Sequence, residues 1–171
     1  MLLYHLSLEV DNIIKLFSPQ IPNEIFALED GEDLTIPRIC VSKSIEGCCS
    51  AAPWGGYGFE NEFEDSNEIM IRVYEFDSCD IEEQNLITSK ELYEKDLVRD
   101  SNYTEEYWII NQSIKPKKSY LINIKDCDYE EECVDNISFK DLKHCEEVEE
   151  DYENCINGTF IIIKNIKYSI I

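Results

Sequence analysis

The sequence predicts an α+β domain that is rich in strands and has only a few short helices. Segments with alternating apolar residues recur along the chain, whereas helix-forming residues behind a capping residue occupy only short segments. The chain lacks the βαβ alternation and the glycine-rich phosphate loop of a doubly wound nucleotide-binding sheet. At 171 residues, of which 43% are hydrophobic, we expect a single domain over 1–171.

Strands are predicted wherever apolar residues alternate. The first runs around Leu2 to Val10, a short second strand is RICVSKS (38–44), and EIMIRVYEFD (68–77) is the clearest of all. One or two strands are expected within 106–126, around a turn at Pro116. The segment 158–171 fits a hairpin or one long closing strand, and its apolar tail is expected to dock in the sheet.

Two short helices are predicted from their capping residues. SIEGCCSAAP begins at the N-cap Ser44 and ends at Pro53. TSKELYEKDLV (88–98) has a Ser/Thr start with Glu91 three residues behind, as in a capping box. The remaining segments are expected to be loops: a turn-rich stretch at 17–37, a glycine and aromatic loop at 53–65, and an acidic loop with partial helix at about 126–155.

The charge of the chain is strongly negative. Thirty-seven acidic residues against 15 basic ones give a net charge of −22. Such a field repels the phosphates of DNA and RNA, so direct nucleic-acid binding is disfavoured. The one basic candidate, IKPKKSY with Lys115, Lys117 and Lys118, is small. The composition instead fits an acidic soluble protein, cation association, or competition with a nucleic acid for a basic partner protein.

Cysteine usage and hydropathy indicate a cytoplasmic protein with reduced thiols. There is no signal-peptide pattern, and no stretch reaches the ~18 apolar residues of a membrane span. The eight cysteines are therefore expected to be mostly free. No metal site is expected, because the histidine and cysteines of the C-terminal third lack the close pairs of zinc sites; these residues are Cys127, Cys133, His144, Cys145 and Cys155.

Three segments together carry a family resemblance. They are LLYHLSLEV at the first strand, IPRICVSKSIEGCCSA at the second strand and its helix, and VRDSNYTEEYWIINQSIKP farther along. In this order they resemble motifs of ADP-ribosyltransferase-like proteins: a histidine on the first strand, a strand that ends in a small hydroxyl residue, and an acidic residue before a tryptophan. The resemblance covers roughly the first 120 residues and implies an ADP-ribosyltransferase-like fold that binds NAD or a related nucleotide.

The resemblance also assigns roles to individual residues. It implies that His5 contacts the nicotinamide ribose as a catalytic and cofactor-binding residue. It also implies that Ser42 or Ser44 belongs to the second motif and that Glu106 is the catalytic carboxylate. A carboxylate there would stabilise the positive charge that develops on the ribose when the glycosidic bond breaks. Tyr57 could stack on the ligand, and Arg38, with Arg72, could offset the negative field around a dinucleotide. The alternatives are a hydrogen-bonded strand histidine at position 5 and, at position 106, merely one of the 37 acidic residues of the chain.

The acidic run from Asp126 to Glu153 suggests a second function. Closely repeated carboxylates can imitate the phosphates of a nucleic acid and bind a basic channel in its place. Small, very acidic proteins of this kind are similar in composition to phage-encoded inhibitors of host defence. The sequence thus predicts an accessory protein of phage or mobile-element type that either binds NAD and modifies a partner, or blocks a basic partner without being an enzyme.

Overall fold

The fold is built on one seven-stranded antiparallel sheet. The computed structural model describes residues 1–22, 33–51, 63, 66–98, 101–126, 128–134 and 160–171. The strands of this sheet are β1 (Leu2–Ser7), β2 (Ile39–Ser42), β3 (Glu68–Asp77), β4 (Leu86–Ile87), β5 (Glu106–Ile109), β6 (Lys118–Lys125) and β9 (Tyr168–Ile170). They lie in the order β4-β5-β2-β1-β3-β6-β9, with every neighbouring pair antiparallel. The first strand in the chain is therefore the middle strand of the sheet.

A two-stranded sheet and short helices complete the described part of the chain. Strands β7 (Glu130–Val134) and β8 (Phe160–Lys164) pair antiparallel with each other. The helices are α1 (Ile45–Ser50), α2 (Ser89–Glu94) and α3 (Ser101–Thr104), and two 3-10 turns lie at Ser78–Asp80 and Glu83–Asn85. The predicted strand-rich α+β class with few short helices is confirmed.

The two capped helices begin at the residues that the local sequence predicts. The Ser44 hydroxyl accepts a hydrogen bond from the Gly47 amide at 2.9 Å, so α1 begins where its N-cap residue predicts. Before α2, the Thr88 hydroxyl accepts from the Glu91 amide while the Glu91 carboxylate accepts from the Thr88 amide, which is the predicted capping box.

The C-terminal segment differs from both forms that its sequence favours. It is two strands, β8 and β9, that lie in different sheets and do not pair with each other. Strand β9 pairs with β6, and the Ile171 amide donates to the Leu121 carbonyl at 3.0 Å, so the tail does dock on the sheet. The start of the predicted acidic loop is strand β7, while Cys127 and residues 135–159 lie outside the described residues.

Both faces of the main sheet are covered. Helix α1 and strand β8 pack on one face, here called the α1 face, where Ile45 and Ile163 meet sheet residues such as Ile71. The opposite face, called the Phe17 face, is covered by the segment after β1, whose Phe17 packs against Tyr74. Because layers pack on both faces of β3, residues 71–76 are all buried, whichever face they point to.

Candidate functional site

The strand register places Ser42 and Glu106 side by side. Tyr4 of β1 is the partner of Ser42, and Ser42 is the partner of Glu106 on β5. Residues directly opposite each other in antiparallel strands project to the same face of the sheet. The Gly47 backbone of α1 lies against Ser42, so Tyr4, Ser42 and Glu106 form a row on the α1 face.

Glu106 is held deep in the structure. It is only 4% exposed, and its Oε1 accepts a 2.7 Å hydrogen bond from the indole Nε1 of Trp108. The guanidinium of Arg38 lies 3.9 Å from the centroid of the same indole ring, in a cation–π contact. Arg38 is also buried and donates to the Asp33 and Ile36 carbonyls. Arg38, Trp108 and Glu106 thus form one continuous buried network. These contacts compensate two charged side chains for the loss of water around them.

The two serines of the second motif form hydrogen bonds with nearby backbone groups. The buried Ser42 hydroxyl donates to the Thr104 carbonyl at 2.8 Å, which ties β2 to the end of α3. Ser44 caps α1. The chain then turns into β5 through Glu105, whose φ of 51° lies in the left-handed region that side chains other than glycine rarely adopt. Both hydroxyls therefore have structural partners within the chain.

Gly47 allows α1 to approach this row closely. A Cβ at position 47 would lie 2.2 Å from the Ser42 Oγ and 2.3 Å from the Thr104 carbonyl oxygen. The next residue, Cys48, donates through its thiol to the Tyr4 carbonyl. Burial raises the pKa of the Cys48 thiol to about 12, with the negative charges of Glu106 and Glu46 adding to the rise. This thiol is protonated at neutral pH and is a poor nucleophile.

His5 lies on the other side of the sheet. It is one residue beyond Tyr4 on β1, and successive side chains in a strand point to opposite faces. Its Nδ1 donates to the Cys40 carbonyl at 2.8 Å, because a carbonyl can only accept. The imidazole packs edge-on against Phe17, with ring centroids 5.1 Å apart. Burial lowers the pKa of His5, so the ring is neutral at pH 7.

The structure thus brings together only part of the predicted site. Ser42, Ser44, Arg38 and Glu106 are on the α1 side of the sheet, whereas His5 is on the Phe17 face. Tyr57 lies outside the described residues. A cavity of about 350 Å³ beside β4 is lined by none of these residues; its lining is Met1, Ser78, Ile81, Glu83, Leu86, Thr88 and Glu91.

The exposed carboxylates of β7 form a second candidate site. Glu130, Glu131 and Glu132 are consecutive and all exposed. Glu132 forms an ion pair with Lys164, and the Glu130 carboxylate accepts a 2.6 Å hydrogen bond from the side-chain amide of Asn165. The rest of the predicted acidic run, from residue 135 onward, lies outside the described residues.

Sequence reasoning did not single out one further polar group on the α1 face. The row Tyr4–Ser42–Glu106 continues in the other direction, because Tyr4 is also the partner of Glu75 and Glu75 is the partner of Lys118. Glu75 is 9% exposed. The signal that could have identified it is an acidic residue between two aromatic ones, YEF, inside an otherwise apolar strand.

The described residues were also compared with the requirements of a metal cluster and of a membrane-spanning helix. No group of three or more His, Cys, Asp or Glu side chains is placed to hold a metal ion in that part of the chain. Within the same residues, no helix is long and apolar enough to cross a membrane. The cysteines described with side chains, Cys40, Cys48, Cys49 and Cys79, form no disulfide bond with one another. Comparisons of the chain with protein-family models, with curated proteins and with solved structures found no match.

Proposed function

We propose that the chain is a non-enzymatic, acidic binding protein that occupies the nucleic-acid-binding surface of a basic partner protein. The observation that carries this proposal is strand β7, which presents Glu130, Glu131 and Glu132 to solvent one after another. The net charge of −22 adds a long-range field of the same sign. A basic surface is attracted by both, and electrostatic attraction of this kind speeds association.

The spacing of the β7 carboxylates supports mimicry of a nucleic acid. Consecutive residues of a β-strand rise by about 3.3 Å. One strand of B-DNA carries one phosphate per about 3.4 Å along its axis. Because side chains alternate between the two sides of the strand, Glu130 and Glu132 present charges on one side, and Glu131 presents one on the other. Charges on one side of β7 are therefore about 6.6 Å apart, which corresponds to two phosphate steps along the axis of one DNA strand.

The buried acid also favours a binding protein over an enzyme. A carboxylate that stabilises a ribose cation has to contact the ribose. Glu106 is 4% exposed and its Oε1 accepts from Trp108. The carboxylates that another molecule can reach are those exposed at the surface, such as the carboxylates of β7.

The proposal is tested by the salt dependence of association. The partners to use are purified basic DNA-binding domains, with their own DNA duplexes as competitors. We expect the association rate of the wild type to fall by at least about 10-fold between 0.05 M and 0.5 M NaCl, because screening shortens the reach of the field. The triple variant Glu130→Gln, Glu131→Gln, Glu132→Gln should bind more weakly and show a flatter salt dependence. The duplex should compete for the same surface.

A matched control distinguishes the location of the β7 carboxylates from the total charge of the chain. Glu9, Glu83 and Glu94 are exposed acids on other parts of the surface, and changing all three to Gln alters the net charge equally. This variant should keep most of the affinity. Binding that is insensitive to salt, that the duplex does not displace, or that both triple variants weaken equally would contradict the proposal.

NAD binding is the second candidate function, and the adjacency of Ser42 and Glu106 on β2 and β5 favours it. Glu106→Gln keeps an amide oxygen that can accept from Trp108, so the variant should fold with little change in thermal midpoint. If the transferase activity exists, this variant should lose NAD consumption, as measured by release of nicotinamide. Ser44→Ala, which removes only the cap of α1, serves as the control for stability. A wild type that neither binds nor consumes NAD would remove this candidate.

A further inference from the structure

Glu75 is a buried carboxylate surrounded by tyrosines. It lies on the inner strand β3, and its side chain is only 12% exposed. Its partner on β1 is Tyr4, and Tyr120 lies diagonally across from it on β6, two residues beyond its direct partner Lys118. Tyr168 of β9 lies close enough to interact electrostatically with both of these tyrosines. We call Tyr4, Glu75, Tyr120 and Tyr168 the Glu75 cluster.

The potential in the Glu75 cluster is negative. Burial raises the pKa of Tyr4 and of Tyr120, and in both cases the charge of Glu75 adds to the rise. Glu46 of α1 acts on Tyr4 in the same direction. A partly buried negative charge beside aromatic rings is an environment that favours a cation, because the charge is screened less by water and the ring faces are electron-rich.

A lysine of the chain already reaches this carboxylate from solvent. Lys118 is the partner of Glu75 on β6, and its Nζ lies 3.7 Å from the Glu75 Oε2. The lysine side chain is 72% exposed. An external cation can therefore approach the carboxylate along the same side. Displacing Lys118 costs little, because ion pairs of exposed lysines contribute little free energy.

We propose that the Glu75 cluster is the contact point for an arginine side chain of the basic partner. The proposal rests on the proposed function and names the group that the partner inserts. Arginine fits better than lysine for two reasons: its planar guanidinium can donate two parallel hydrogen bonds to a carboxylate, and it stacks on aromatic rings. The β7 carboxylates then supply long-range attraction, and Glu75 supplies short-range selection for arginine.

The test uses the full chain with two peptides, hexa-arginine and hexa-lysine, by calorimetric titration at physiological salt. We expect the wild type to prefer hexa-arginine. Glu75→Gln should weaken hexa-arginine binding by about 10-fold, since a charge-assisted hydrogen bond is lost. The matched control is Glu68→Gln, which removes one charge from the exposed end of the same strand and should change the affinity by less than about 2-fold, as expected for an exposed charge.

A second pair of variants gives an effect of the opposite sign and does not disturb a buried group. Lys118→Ala removes the resident cation and should strengthen hexa-arginine binding, whereas Lys115→Ala makes the same change in net charge at another exposed lysine. The gain in affinity from Lys118→Ala should exceed that from Lys115→Ala by about 2- to 5-fold, because the Lys118 ammonium lies beside the Glu75 carboxylate. This comparison stays informative if Glu75→Gln does not fold.

The outcomes separate this inference from the proposed function. Equal affinities for the two peptides, or equal effects of Lys118→Ala and Lys115→Ala, would overturn the arginine contact. If neutralising the β7 carboxylates still weakened binding to the basic domains, the proposed function would stand without it. If the basic domains were not bound either, both would fall.

Discussion

At the scale of single residues, His5 shows how the sheet uses a polar side chain in its core. The Nδ1–H of the ring is taken by the Cys40 carbonyl, and Phe17 and Tyr74 pack beside the ring. Burial lowers the pKa of His5 below that of the unfolded chain. The folded state therefore binds fewer protons than the unfolded state as the pH falls. The stability that neutral His5 contributes is present above the unfolded pKa of about 6.5 and is lost below it.

Replacing this ring with a phenyl group tests that account. At pH 7.5, His5→Phe should lower the free energy of unfolding by about 1 to 3 kcal/mol, because the part-buried hydrogen bond from the ring to the Cys40 carbonyl is lost. At pH 5.5 the difference should shrink, because the wild type loses its histidine contribution there and the variant has none to lose. Urea unfolding at both pH values measures this. A difference that stays the same at the two pH values would show that protonation of His5 is not coupled to folding.

At the scale of secondary-structure elements, the seating of α1 on the sheet depends on a missing side chain. Helix propensity alone makes alanine better than glycine by about 1 kcal/mol in a helix interior. At position 47 we expect alanine to destabilise the protein instead, because a Cβ would lie 2.2 Å from the Ser42 hydroxyl oxygen and 2.3 Å from the Thr104 carbonyl oxygen. Gly47→Ala should lower the free energy of unfolding by about 1 to 3 kcal/mol through overpacking.

The matched control for this helix is Glu46→Ala. Glu46 is the residue before Gly47, and its side chain is half-buried. Chemical unfolding of both variants should show a clear loss for Gly47→Ala and a much smaller change for Glu46→Ala. A stabilised Gly47→Ala protein would mean that α1 can move away from Ser42 without loss, and that the row on the α1 face is not fixed by this contact.

Elements with local signals were predictable, and elements set by distant pairing were not. The bounds of β3 and the caps of α1 and α2 follow from residues next to each other in the chain, such as Ser44 before α1 and Thr88 with Glu91 before α2. Strands β8 and β9 share one apolar segment, and nothing local determines that Ile163 joins β7 while Ile170 joins β6. That choice depends on packing against α1 and β6.

The adjacency of two of the candidate residues was predictable, whereas the position of His5 relative to them was not. Ser42 and Glu106 are brought together by the β2–β5 register, as the motif order suggests. Whether His5 joins them depends on a single residue of register, since a shift by one position moves a side chain to the opposite face. Tyr4, and not His5, is the partner of Ser42. Sequence patterns do not determine which of two neighbouring side chains has that register.

At the scale of the whole molecule, the net charge of −22 opposes folding. Carboxylates repel one another more strongly when the chain is compact, so screening them should stabilise the folded state. We expect the thermal midpoint to rise by several degrees between low salt and about 0.3 M NaCl, since about 1 kcal/mol corresponds to about 2 to 4 °C for a chain of this size. Differential scanning fluorimetry measures this rise.

The variant with Gln at positions 130, 131 and 132 provides the control for self-repulsion. Its midpoint should exceed that of the wild type at low salt, and the two should converge as salt increases. A wild-type midpoint that falls with added salt would show instead that ion pairs such as Lys117–Asp77 and Lys90–Glu94 outweigh the repulsion.

The central position of β1 in the sheet has a consequence for synthesis. The strand leaves the ribosome before the partners on its two sides, because β2 and β3 begin only at Ile39 and Glu68. Both hydrogen-bonding edges of β1 therefore stay unsatisfied while much of the chain is still being made, and unpaired edges invite pairing with other chains. Contacts as distant in sequence as Leu3 with Phe76 also raise the contact order, which slows folding. The interval before β3 is complete is thus the period in which the nascent chain most needs protection from aggregation.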